Sequence, residues 1–217
     1  MAAEAATMTK RAVRREERRT AILALARTHF NEHGYGGMTM SALACALGGS
    51  KSTLWAYFSS KEELFAAVMD ELVAEFGPTM AIDPDEAPDA MLPRYAADFL
   101  TMMLSPQIVA LNRLVIAEAS RFPELGQMFY ARGPERRHRV LADYLAAQIA
   151  CGRLRRADPL VASAQFHHLC QSGLFIRTMW GVCGGADVAA IRQDAERSVR
   201  LFLEGYAIGS EREPRRP

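Results

Sequence analysis

The sequence predicts an all-α chain in two parts, a three-helix head carrying a helix-turn-helix and a larger helical bundle behind it. Three observations carry that reading. Apolar residues recur at helical spacing through almost all of the 217 residues, with few strand signals. Glycine, proline and small capping residues punctuate the chain at intervals suited to helix ends. And residues 43 to 61, from Leu43 through Gly48 and Leu54 to Lys61, spell two short helices around a glycine turn.

The head begins with a basic arm over residues 1–15, expected to be flexible. Ile22, Leu23, Leu25, Ala26 and Phe30 then mark an amphipathic helix that Gly34-Tyr35 ends. Thr39 can cap the next helix at Met40. Two helices that cross steeply need a small residue at the crossing, which Ala44 supplies. Gly48, four residues on, can take the left-handed conformation that stops the helix. Leu54 pushes back beneath Leu43 and Leu47. Ser50 is placed to cap the second helix, leaving Lys51, Ser52 and Thr53 in a first turn where backbone N–H groups point outward.

Behind the head, Ser59 or Ser60 caps a connecting helix striped by Leu64, Phe65, Val68, Met69, Leu72, Val73 and Phe76, ending at Gly77-Pro78. An acidic loop over residues 83–89 leads to a helix with Tyr95, Phe99, Met102 and Met103. Ser105-Pro106 opens another, faced by Ile108, Leu111 and Val115. A short helix holds Leu125, Met128 and Phe129. Leu141, Tyr144, Leu145 and Ile149 mark a longer one to Gly152. Asp158-Pro159 opens a helix expected to run to about Gly181, and the last is striped by Val188, Ile191, Ala195, Val199, Phe202 and Tyr206. The reading gives four segments: the arm at 1–15, the head at 16–62, the bundle at 63–209 and a frayed tail at 210–217.

Charge divides the same way. Residues 1–61 hold nine Lys/Arg against four Glu, net +5, and the remainder holds 17 against 21, net −4. A basic head on an acidic body is the footprint of a protein whose head alone meets a polyanion. With 50% hydrophobic and 24% charged residues the composition is that of an ordinary soluble chain. No apolar run approaches the ~20 residues that span a bilayer, and the Arg-rich start lacks the apolar core of a secretory signal. The expected location is cytoplasmic, with no membrane partner.

Taken together, Phe30, Gly34-Tyr35, Thr39, the Gly48 turn, Thr53-Leu54, Tyr57-Phe58, Lys61 and Leu64 resemble the N-terminal domain of TetR/AcrR-type transcriptional regulators over about residues 20–70. Four positions depart from that pattern. Gly49 stands where valine is usual, forgoing a burial worth ~1.5–3 kcal/mol. Ser52 replaces a glycine, Trp55 a tyrosine, and Met38 one of two threonines. The resemblance implies a double-stranded DNA operator as partner, roughly palindromic, with the 51-to-57 helix in the major groove. It assigns phosphate contacts to Thr39, Ser41, Trp55, Tyr57 and Lys61, and base edges to Lys51, Ser52 and Thr53.

Arg113 to Leu125 and Phe129 to Pro134 resemble the C-terminal domain of the AefR-like branch of these regulators. That resemblance implies a bundle binding a small-molecule effector of unknown identity, and a homodimer paired through about 158–180 and 187–207. Candidate pocket residues are Phe99, Met102, Met103, Phe122, Phe129, Tyr144, Phe166 and Cys170, each of which also reads as ordinary core. Function is then a ligand-released repressor.

Signals of an enzyme or metal site are weak. His29 and His33 stand one helical turn apart, yet no third ligand accompanies them, and the adjacent His167-His168 pair diverges by about 100° on a helix. One of that pair is expected inside and the other out. Residues 49–52 lack the glycine and the preceding strand of a phosphate loop. Cys45, Cys151, Cys170 and Cys183 show no Cys-x-x-Cys spacing and read as core residues. No nucleophile, base and oxyanion set is visible, so neither a cofactor nor a metal is expected. Two other classes remain open: an adaptor whose helix-turn-helix binds protein, and a helical carrier or enzyme using its interior.

Overall fold

The computed structural model describes residues 2–48, 51–76, 80–184 and 186–208, without the side chains of residues 2–9 and Lys51. These residues form helices in the order α1 (Ala2–Gly37), α2 (Met40–Ala46), α3 (Lys51–Trp55), α4 (Lys61–Phe76), α5 (Pro88–Met103), α6 (Pro106–Glu118), α7 (Pro123–Arg132), α8 (Pro134–Ala150), α9 (Pro159–Gln171), α10 (Leu174–Met179) and α11 (Val188–Tyr206). The all-α class is as expected. No single helix among the described residues is long and apolar enough to cross a membrane.

The chain forms two compact units, one comprising residues 1–74 and 110–132, the other 75–109 and 133–217. The chain therefore crosses between units inside α4, inside α6 and at the α7–α8 junction, rather than once at residue 62. Residues 1–15 also differ from the flexible arm expected: α1 runs through them from Ala2. Alanine, arginine and glutamate dominate there, and all three are strong helix formers.

In the first unit Ile22, Leu23, Ala26, Phe30, Tyr35, Met38, Leu43, Ala44, Leu54, Phe58, Leu64 and Phe65 are buried. The second unit's core unites α5, α8, α9 and α11 around Tyr95, Phe99, Leu145, Phe166 and Phe202. There α11 lies against α5 and α9, and α8 against α9. Capping follows the sequence at Asp158, whose Oδ1 accepts from Leu160 N–H at 2.8 Å and Val161 N–H at 3.1 Å.

The helix expected from Asp158 to Gly181 is instead broken into α9 and α10 at Ser172-Gly173. Asp194 of α11 reaches into the break and accepts a hydrogen bond from Leu174 N–H at 2.8 Å, capping α10. A Cβ on Gly173 would stand 2.2 Å from that carboxylate. A side chain there would displace the capping carboxylate. Of the cysteines read as core, Cys170 is buried, but Cys45 and Cys151 are exposed. Both occupy outward positions near helix C-termini, where spacing alone does not distinguish them from a core stripe.

Candidate DNA-reading surface

The helix-turn-helix closes as its spacing predicts. Thr39 sits at φ −120° and ψ 146°, and its Oγ1 accepts from Ala42 N–H at 3.1 Å, so its hydroxyl starts α2. Leu43, Ala44 and Leu54 are all but fully buried, which fixes α3 beneath α2. Gly48 takes φ +61° and donates its N–H to Cys45 O at 3.0 Å. Gly49 and the expected cap Ser50 lie outside the described residues, as does the Lys51 side chain.

With Leu54 turned inward, the opposite side of α3 faces solvent. Ser52, Thr53 and Trp55 are exposed, Trp55 by 48%, and Tyr57 is half-buried. Thr39 and Ser41 at the start of α2 are exposed as well. Five of the eight expected contact residues are thus exposed on the motif's two short helices or at the cap of the first, and Tyr57, in the turn after α3, is half-buried.

α1 adds a cationic flank. Arg18 Nη2 donates to Leu47 O at 3.3 Å, tying α1 to the end of α2. The Arg15 guanidinium lies 5.8 Å from the Tyr57 ring centre and that of Arg19 lies 5.7 Å from Phe58. These arginines are not merely a solvated helix face, since their guanidinium groups lie against the motif itself. In the sequence they count only towards the positive charge of the head, and no spacing signals this packing.

Lys61, the remaining candidate, is engaged inside the unit. Its ammonium donates to Tyr35 O at 2.9 Å and Met38 O at 3.5 Å, and sits 4.3 Å from the Tyr35 ring centre and 5.6 Å from that of Phe122. It holds the chain between α1 and α2. Beside it the Tyr35 hydroxyl donates to Glu62 Oε1 at 3.1 Å. Burial raises the Tyr35 pKa, while hydrogen bonds from the Glu62 backbone, Ser60 and Tyr35 hold the Glu62 carboxyl below the usual range. Ser60 is the α4 cap, accepting from Glu63 N–H at 3.1 Å, and Glu63 in turn accepts from Ser59 N–H at 2.7 Å.

The corner preceding α2 is tightly specified. Gly34 takes φ +72°, and a Cβ there would stand 2.5 Å from Glu118 Oε1. Phe122 meets Tyr35 edge to face at 5.2 Å between ring centres. Phe122 and Phe129 belong to the first unit and the other pocket candidates to the second. Phe99, Met102, Met103, Tyr144, Phe166 and Cys170 do share one cluster in the second unit. Burial pushes the Cys170 thiol up to about 12 and the Tyr144 hydroxyl up to about 12, so both are neutral. His167 is buried and His168 exposed, the division expected of that pair.

Residues 22–68 match the family model described as bacterial regulatory proteins, tetR family, and residues 90–208 match that of the AefR-like transcriptional repressor C-terminal domain. Among solved structures, the chain is similar to the "Flavonoid-responsive Regulator FrrA", with 30% identity, TM-score 0.78, and coverage of 90% of this chain and all of that one. It is 25% identical to the "Uncharacterized HTH-type transcriptional regulator YhgD" of Bacillus subtilis (strain 168), over 66% of this chain and 75% of that one. It is 45% identical to the "HTH-type transcriptional repressor AcnR" of Corynebacterium diphtheriae, over 28% of this chain and 35% of that one.

Proposed function

The chain belongs to the TetR family of bacterial transcriptional regulators, and from that premise we propose that it is a cytoplasmic homodimeric repressor, released from a palindromic operator by a small, largely apolar effector. One observation supports the DNA reading above the others. Leu54 anchors α3 so that Ser52, Thr53 and Trp55 all stay open. In this reading Lys51, Ser52 and Thr53 meet base edges, while Thr39, Ser41, Trp55 and Tyr57 meet phosphates. Lys61 acts through the corner it holds, keeping Thr39 and α2 in place.

Pairing is proposed through α9 to α11, about residues 158–180 and 187–207. Leu160, Val161, Trp180, Val188 and Leu201, on or beside these helices, are exposed by 51 to 74% and would be covered by such pairing. The second unit is the effector domain. Its Phe99, Met102, Met103, Tyr144, Phe166 and Cys170 cluster is apolar and rich in adaptable methionine. FrrA is described as flavonoid-responsive, which supports an effector with an aromatic body. A ligand acts on DNA binding only by favouring one arrangement of α4 over another, and so of the two recognition helices.

An electrophoretic shift of the DNA upstream of the protein's own gene tests the proposal. A specific, salt-sensitive shift that competitor DNA does not remove is expected. Absence of any specific shift would favour the adaptor reading, in which the same motif binds protein.

A further inference from the structure

The second unit holds a half-buried cation that, among the described residues, has no hydrogen-bond or ion-pair partner. Arg137 lies on α8 one turn after Pro134, and its Nε is sealed from solvent without a hydrogen-bond partner. Its guanidinium makes no described hydrogen bond or ion pair, resting only on the Phe99 ring with 5.4 Å to the ring centre. Burial lowers its pKa from the ordinary value, and the one group that opposes this is the Tyr95 hydroxyl, which is itself neutral. A guanidinium with a sealed, unpaired N–H disfavours the folded state unless something else offsets it.

The neighbours sharpen what would repay it. His167 Nδ1 donates to Ser163 O at 2.8 Å, so its Nε2 is the acceptor for the Tyr95 hydroxyl at 3.0 Å. That histidine is neutral. His138, next to Arg137 on α8, has its ring centre 5.0 Å from that of His167, and burial together with Arg137 lowers its pKa. No carboxylate is among the groups acting on Arg137, His138 or His167. The surroundings hold one permanent positive charge, three neutral polar rings and an apolar wall of Phe99 and Phe166. Arg137 is partly exposed as a residue, which leaves a small molecule an approach.

We propose that Arg137, with Tyr95 and His138 beside it, is the anion-recognising end of the effector site, and that the effector is a small apolar acid whose carboxylate pairs with the guanidinium. The two Nη groups, which are not sealed in as Nε is, form the planar fork that a carboxylate accepts bidentately, while Phe99 and Phe166 take the apolar body. This rests on the reading of the second unit as an effector domain, and it can fail while the DNA reading stands.

The test compares acids with their uncharged amides, 2-naphthoate with 2-naphthamide and octanoate with octanamide, on the full chain without DNA. Thermal unfolding and titration calorimetry read binding at up to millimolar concentration. The acids are expected to raise Tm and bind at least roughly tenfold more tightly than the amides. Arg137→Met should abolish that preference and Arg137→Lys retain part of it. Arg137→Met should also raise the Tm of the ligand-free protein by about 2–4 °C, since it removes a guanidinium with a sealed, unpaired N–H. Equal behaviour of acid and amide, whether both bind or neither does, would overturn the proposal. So would a lower Tm in Arg137→Met, which would make Arg137 a structural residue. Operator shift assays run in parallel on the same variants test the DNA reading separately.

Discussion

Two polar clusters in this molecule share their parts, a buried tyrosine and a cation resting on an aromatic ring, and finish in opposite states. In the first unit Lys61 lies over Tyr35 and Phe122, donates to two backbone carbonyls, and stands beside a tyrosine hydroxyl bonded to Glu62. In the second, Arg137 lies over Phe99, near a tyrosine hydroxyl that has been given to a neutral histidine, and has no hydrogen-bond or ion-pair partner among the described residues. A satisfied cluster fixes geometry, which a DNA-reading surface needs. An unsatisfied one holds binding energy in reserve for a partner.

The comparison breaks most visibly at Gly34. Its φ of +72° with ψ 171° is a backbone conformation that an L side chain rarely adopts, and a Cβ would also push the Glu118 carboxylate aside, so Gly34→Ala should cost about 2–3 kcal/mol of unfolding free energy, read from the urea midpoint. A cost below about 0.5 kcal/mol would mean the corner gives way freely and does not fix α2.

Lys61→Met comes next. Losing charge-assisted bonds to Tyr35 O and Met38 O should cost about 2 kcal/mol of stability. Operator binding should weaken while its salt dependence keeps the same slope. A slope shallower by about one would return the ammonium to a phosphate, as the sequence alone suggested.

The second cluster is tested by pH. The folded pKa of His167 is pushed down to about 3, mainly by burial, from the ordinary 6.5. A depressed pKa means that the stabilisation is whole above pH 6.5 and is lost as pH falls towards 3. Between pH 6.5 and 5, before most carboxylates titrate, the loss should be about 1.5 kcal/mol. His138 shifts in the same direction and steepens it, Arg137 stays charged throughout, and the exposed His168 faces away from the core. His167→Gln should flatten the urea-midpoint profile over that range. A flat profile in the parent would show that the cluster is not held by a neutral histidine.

The satisfied cluster was only partly legible in the sequence, and the other hardly at all. Thr39, Gly48 and Ser60 act on neighbours within one turn, and Leu54 on the short helix just before its own, so their spacing carried their roles. Lys61 acts on carbonyls 23 and 26 residues away, and Asp194 caps a helix 20 residues upstream. Such partners are set by packing and leave no periodic signal. Arg137 sits in the run Arg136-Arg137-His138-Arg139, which reads as a solvated charged face until α8 turns one of its members towards Phe99.

The smallest effect on folding, and the one that separates reading from holding, belongs to Trp55. Its indole is 48% exposed and touches neither cluster, so Trp55→Ala should leave unfolding free energy within about 0.5 kcal/mol of the parent. If its N–H meets a phosphate, the loss of one such bond, about 1–1.5 kcal/mol, weakens operator binding roughly tenfold across all operator sequences. Circular dichroism and a shift titration measure the two halves. Lys61→Met and Trp55→Ala then form a pair that both weaken DNA binding, the first with a loss of stability and the second without. Should Trp55→Ala destabilise the fold as much as Lys61→Met does, the exposed face of α3 would be bearing structure, and its assignment as the reading surface would fall.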